Sequence, residues 1–194
     1  SDESNMIRAI GDIVKSCTFG KIDKPHDMPT FDLEYMFLMI RAKSVGSDIE
    51  LKVTCPDDGE TVIDHKINLD EIKVQHTEGH TNQVMLTDDI GMEMKYPSME
   101  MVRGFALDNV NVTELSFELI RKSVKTVFDK EQVYDEMSAK DLDAFIEQMN
   151  TEQFEKLSNF YETMPKLSHM VKVTNPNTGV ENEIKLEGLQ SFLE

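Results

Sequence analysis

The segment KVTCPDDG, Lys52 to Gly59, returns about 120 residues later as KVTNPNTG, Lys172 to Gly179, with Lys, Val, Thr, Pro and Gly in the same places. No other feature limits the fold so tightly. A β-branched arm running into a Pro-x-x-Gly turn is a hairpin signal, and two copies ask for two related hairpins. In the first copy DIELKVT leads into the turn and ETVIDHKINL returns from it. The likeness continues beyond: INLDEI at Ile67 to Ile72 is answered by IKLEGL at Ile184 to Leu189, with the spacing from Gly to Ile three residues shorter in the second copy. Duplicated units with unpaired strand edges are expected to pair in space. The alternative is two unrelated hairpins that share turn chemistry.

Each turn also has the frame of half a zinc knuckle. The four ligand positions would be Cys55, Asp58, Asn175 and Thr178. Structural zinc takes four thiolate or imidazole donors in a tetrahedron, and an amide and a hydroxyl supply neither. His65 and His169 are donors of the right type but fall outside knuckle spacing. The expectation is no metal and no cofactor, with the turns held by Asx-type hydrogen bonds.

Helical patterns surround the hairpins. Ser4 to Lys15 carries Met6, Ile7, Ile10, Ile13 and Val14 at helical spacing. A loop with two prolines follows, and then TFDLEYMFLMIRAKSVG, with Thr30 as N-cap, Asp32 and Glu34 in the first turn, Arg41 and Lys43 in the last, and Gly46 as the stop. Its interior is apolar on nearly every face from Phe31 to Ile40, so either the rest of this chain or another chain must cover it. IKVQ, QVMLTDD and MEMKY read as short strands, and Ser98 caps a helix through about Leu107. Thr113 caps ELSFELIRKS; VKTVFD and KEQVYD form a small hairpin or an irregular connection. Ser138 caps a helix to Met149 with Leu142, Phe145, Ile146 and Met149 on one face. Thr151 caps another to Thr163 with Phe154, Leu157, Phe160 and Tyr161 on one face. Leu189, Phe192 and Leu193 make a short apolar tail.

These elements give an α+β fold in which two related hairpins of degenerate zinc-knuckle type pack together with inserted and flanking amphipathic helices. The segments are 1–48, an N-terminal helical region; 49–97, the first hairpin and short strands; 98–165, the helical segment; and 166–194, the second hairpin and tail. Residues 49–194 are expected to form one compact domain.

Charge narrows the functions. With 37 acidic against 20 basic residues the net charge is −17, and no basic cluster interrupts it, which disfavours a nucleic-acid backbone as partner. The hydrophobic share of 39% is ordinary for a soluble globular protein. No apolar run is long enough to span a membrane, and the acidic start lacks the pattern of a signal peptide. An opening on Ser leads to the expectation of a fragment or processed chain. Cys17 and Cys55 are expected as reduced thiols.

Catalytic signatures are missing. There is no Walker loop, Rossmann glycine pattern, HExxH, G-x-S-x-G or EF-hand loop. His76 and His80 in HTEGH have i, i+4 spacing, but Gly79 and the polar neighbours place them in a surface loop. Asp141 and Asp143 belong to the first turns of a helix, where acids suit the dipole. Asn111-Val112-Thr113 is a glycosylation sequon, meaningless without secretion. Thirteen methionines fill irregular cores by default and also suit adaptable surfaces.

FDLEYMFLMIRAKSVG, KVTCPDDG, MKYPS and NEIKLEGLQSFL, in that order, resemble the baseplate hub assembly family of T4-type contractile-tailed bacteriophages. The similarity runs from about Cys17 to the C-terminus and is weak through 105–135. Members of that family often carry Cys-Pro-x-Cys-Gly at both turns, and three of those four cysteines are absent here. The resemblance implies the hairpin geometry without the metal. It also implies a non-enzymatic structural role in the tail baseplate hub, in the virion after assembly in the host cytoplasm. Other baseplate and hub proteins are the implied partners, with the tape-measure protein a further candidate; a symmetric assembly also allows a homo-oligomer. Leu33, Phe37, Leu38, Leu189, Phe192 and Leu193 are the candidate partner-contact residues. The alternatives are a transient assembly chaperone absent from the mature virion, and a small acidic enzyme or inhibitor acting on a basic host factor.

Overall fold

The structure is a computed structural model that describes residues 2–103 and 112–193. Among them are six α-helices and three small antiparallel sheets, an α+β fold. The chain divides into two compact units. Unit 1 is Ser1–Pro25, Phe31–Gln75 and Pro165–Glu194; unit 2 is His26–Thr30 and His76–Met164. The strands of 76–97 therefore group with the helices, whereas 1–25 and most of the apolar helix group with both hairpins.

Unit 1 opens with α1 (Asp2–Cys17), which buries Ile7, Ile10 and Val14 as one stripe and leaves Met6 and Ile13 on the surface. Beyond its end comes Phe19, which lies in the left-handed region at φ 54°, ahead of Gly20 at φ 71°. The apolar helix is α2 (Thr30–Val45), stopped where the Gly46 N–H donates to the Ala42 carbonyl at 3.1 Å with φ 110°. Thr30 does not serve as its N-cap: it is the first helical residue, and its N–H and hydroxyl both donate to the Pro97 carbonyl at 2.9 Å.

The repeated segments form the expected hairpins. β1 (Asp48–Thr54) pairs with β2 (Val62–Asn68), Thr54 opposite Val62 nearest the turn. β8 (Lys166–Thr174) pairs with β9 (Glu181–Glu187), and β3 (Lys73–Gln75) adds to the other edge of β8. The two hairpins stay in separate sheets, so strand edges do not join them. Each leads into a 3-10 turn that begins on a buried leucine, Leu69 or Leu189. Leu69 and Leu189 thus keep the spacing of the repeat. The register departs from the I-x-L likeness: Ile67 lies opposite Ile49, whereas Ile184 lies opposite Val171, two ladder pairs closer to the turn.

Unit 2 has a four-stranded sheet in the order β4 (Gln83–Met85), β5 (Gly91–Met94), β6 (Val124–Phe128), β7 (Val133–Tyr134). VKTVFD and KEQVYD are therefore a hairpin. Its turn is organised by the Asp129 carboxylate, which accepts from the N–H groups of Glu131 and Gln132 and from the Tyr134 hydroxyl. The helices are α3 (Met99–Arg103), α4 (Val112–Ser123), α5 (Ala139–Glu147) and α6 (Thr151–Thr163). Ser98 accepts from the Met101 N–H, as a cap should. The continuation of that helix to Leu107 and the sequon Asn111 lie outside the described residues, and Thr113, the expected cap of the next helix, falls within α4 instead.

Ser138 caps α5, which ends at Glu147, short of Met149. Asn150 rather than Thr151 caps α6, because its side chain and that of Gln153 exchange hydrogen bonds with each other's backbone in a capping box. The core joins Val84, Leu86, Met92, Met94 and Val127 of the sheet region to Ile120, Ile146, Leu157 and Phe160 of α4, α5 and α6. Met92 and Met94 are core methionines, whereas Met85 and Met170 are exposed.

Candidate functional site

The two Pro-x-x-Gly turns are built alike. Leu51, Val53 and Cys55 are buried in alternation, as are Val171, Val173 and Asn175. Strand alternation thus aims the first knuckle position of each copy inward, and both Cys55 and Asn175 have no exposed surface. The Gly59 N–H donates to the Cys55 carbonyl at 2.9 Å, and the Gly179 N–H to the Asn175 carbonyl at 2.8 Å. Both glycines lie in the left-handed region, at φ 69° and 77°, where a side chain would be strained.

The turns meet through side chains. Asn175 Nδ2 is 3.0 Å from Asp57 Oδ1 and 2.9 Å from Asp58 Oδ2, so one amide serves both carboxylates of the other turn. Its Oδ1 accepts from the Asn177 N–H at 2.8 Å, an Asx turn. Asn182 Nδ2 donates to Asp57 Oδ1 at 2.9 Å while the Asp57 N–H returns a bond to Asn182 Oδ1 at 3.1 Å. The Thr178 hydroxyl donates to Asp57, and Asn177 Nδ2 to Thr61 Oγ1 at 2.9 Å. Asp58 also orders its own turn by accepting from the N–H groups of Glu60 and Thr61, each at 3.0 Å, and from the Thr61 hydroxyl.

These donors hold the carboxylates in their charged form. Asp57 lies below the usual carboxylate range because of Asn175 first and then Thr178; Asp58 lies well below it because of the Thr61 hydroxyl and N–H, then Asn175. Burial pushes the Cys55 thiol upward, and the charges of Asp57 and Asp58 push it further, the opposite of what a thiolate ligand requires. Cys55 and Cys17 are both free thiols. Among the described residues no group of three or more His, Cys, Asp or Glu side chains is placed to hold a metal ion. His65 and His169 sit along the strands, opposite Leu51 and Leu186, away from the turns.

Asp58, Asn175 and Thr178 are therefore brought together as the repeat predicts, with Cys55 buried at the base of its own turn. Asp57 and Asn182 belong to the same network but occupy no knuckle position, so spacing did not point to them. Their only local signal is residue type: each is an Asx residue, in or just after a turn.

Four of the six candidate partner-contact residues are buried: Leu33, Leu38, Leu189 and Phe192. The tail is tied to α2 where the Leu189 N–H donates to Glu34 Oε1 at 3.2 Å. Burial raises the Glu34 carboxyl above its usual value, against the lowering effect of that bond. Phe37 is half-buried and Leu193 is exposed, so these two retain surface to offer.

One histidine departs from its expected surface loop. The segment around His80 is a loop, yet the ring is half-buried beside Tyr96 and Phe160, with centroids 5.7 and 5.4 Å away. Thr163 donates its hydroxyl proton to the Asn159 carbonyl at 2.6 Å, so His80 Nδ1 carries the proton it shares with Thr163 Oγ1 at 2.9 Å. Nε2 is left to accept from the Tyr96 hydroxyl at 3.0 Å. Burial, and to a lesser degree His76, lowers the His80 pKa and keeps this ring neutral. Both nitrogens are thus satisfied within the fold.

No helix among the described residues is long and apolar enough to cross a membrane. Comparison with characterised proteins and with solved structures gives no match to this chain. The family model described as T4 bacteriophage base plate protein matches residues 1–194, and the chain belongs to that family.

Proposed function

We propose that the protein is a non-enzymatic structural component of the baseplate hub of a contractile-tailed phage, acting in tail assembly through contacts with other baseplate proteins. The single observation that carries the reading is the family match over the whole chain. Two features support it. The repeat is locked by hydrogen bonds among side chains, which serves a static part, and the polar groups around His80 are spent on one another. The contact residues in this reading are Phe37 and Leu193, whereas Leu33, Leu38, Leu189 and Phe192 are core. Hub neighbours, the tape-measure protein and further copies of this chain are the partners it names.

Mass spectrometry of purified phage particles tests the reading. Stoichiometric presence is expected; absence, with the protein abundant in infected cells, favours an assembly chaperone instead. Co-expression with the other hub proteins tests the contacts. Phe37→Glu and Leu193→Glu should each weaken the complex while the chain still folds, and a complex indifferent to both removes these residues from the interface. Phe192→Glu is unsuited to that purpose, since a charge at a residue only 1% exposed tests the fold.

A further inference from the structure

Unit 2 has a second surface that the hub reading leaves unused. Among the described residues β4 is an edge strand whose one ladder partner is β5. The Leu86 N–H donates to the Ile90 carbonyl and the Met94 N–H to the Asn82 carbonyl. Antiparallel alternation then turns the backbone of Val84 toward β5 and sends the N–H and C=O of Met85, with the carbonyl of Gln83, outward. Alongside this edge runs one face of α6, and between them lies a groove of ≈ 560 Å³. From Glu152 to Thr163 that face is about 16 Å long, the span of about five extended residues.

The charge of the groove is one-sided. Among the described residues, Glu78, Glu152 and Glu155 line it against a single ammonium, that of Lys156. Lys156 is already engaged by Glu152 at 3.0 Å and by the Leu86 carbonyl at 3.1 Å. Met85 is 46% exposed and offers a thioether surface beside the open edge.

We propose that this groove takes an extended, lysine- or arginine-bearing segment of a partner protein, added as a fifth strand on β4 and held between that edge and α6. The outward backbone groups supply main-chain hydrogen bonds, as in other strand-addition sites. The carboxylates select basic side chains on the flank facing α6, and Met85 receives an apolar one. An anionic partner, nucleic acid included, is repelled by the same carboxylates and by the net charge of −17. The inference holds for any basic partner and does not depend on placement in the hub, so particle composition and peptide binding fail separately.

The test uses the full chain and a fluorescein-labelled, end-capped Lys-Val-Lys-Val-Lys-Val-Lys peptide, followed by fluorescence anisotropy at low salt. Saturable binding is expected. Peptides N-methylated on alternate residues, made in both registers, keep every charge but lose one hydrogen-bonding edge; one register should bind at least tenfold more weakly. Glu155→Lys, on an exposed groove residue, should weaken binding about tenfold. Glu162→Lys, an equal change of charge on α6 outside the groove, should leave it within twofold. Absence of saturable binding overturns the proposal, as does equal binding of all the N-methylated peptides or an equal effect of the two lysine substitutions.

Discussion

Asn175 is the residue on which the hairpin junction turns. It is fully buried, and its amide is the first cause of the depressed Asp57 pKa and a contributor to that of Asp58. Asn175→Ala removes the donor and leaves carboxylate oxygens without it, so a loss of about 1–3 kcal/mol at neutral pH is expected in urea denaturation. The pH dependence has a definite sign. Both carboxylates have folded pKa values below their unfolded value of about 3.9, so the stability they contribute is complete above about pH 4 and is lost as the pH falls toward the folded values. The gap between wild type and Asn175→Ala should therefore narrow on going from pH 7 to pH 3. A gap that is unchanged across that range would show that the amide does not act on the charged carboxylates. Thr30, Thr151 and His80 carry a related lesson at this scale. Each residue type suits the role first assigned to it, but Pro97, Asn150 and the Tyr96–Thr163 pair decided the actual one.

At the scale of elements, each hairpin follows from its own segment. Alternating β-branched residues, a Pro-x-x-Gly turn and a glycine in the left-handed region are all local, and each hairpin closes across its own turn. The I-x-L likeness was misleading because a strand fixes residues by their partners across the ladder, and the second return arm meets its partners in a different frame. The way the turns meet makes a further prediction. In the triple variant Asp58→Cys, Asn175→Cys, Thr178→Cys, with native Cys55, four thiols occupy the knuckle frame. It should bind one zinc per chain by metal analysis, with a cobalt spectrum of tetrahedral thiolate type. The wild-type chain should bind none. A triple variant without zinc would mean that the hydrogen-bonded junction and a four-thiolate site need different spacings between the turns.

For the whole molecule, the important fact is that unit 1 is assembled from three separate segments and unit 2 from the two stretches of sequence between them. Contacts between the hairpins bridge sequence separations such as 118 residues, between Asn175 and Asp57. The strands of unit 1 should therefore lose protection together. In native-state hydrogen exchange, Asn175→Ala should lower the protection of amides in β1, β2, β8 and β9 in common, while amides of α5 and α6 keep theirs. Loss confined to β8 and β9 would instead make the two hairpins separate cooperative elements.

The α+β class, the two hairpins, the existence of α1, the helical faces of α5 and α6, the Ser138 cap and the resemblance that led to the family were all legible in the chain. Each of these is written in a period or a turn motif only a few residues long. Packing between distant segments was needed to show that Asp57 and Asn182 complete the junction, that Leu33, Leu38, Leu189 and Phe192 are core, that His80 turns inward, and that 76–97 join the helices. Those outcomes depend on partners distant in sequence, and a side chain that can serve either at the surface or inside takes its role from the neighbour that satisfies it.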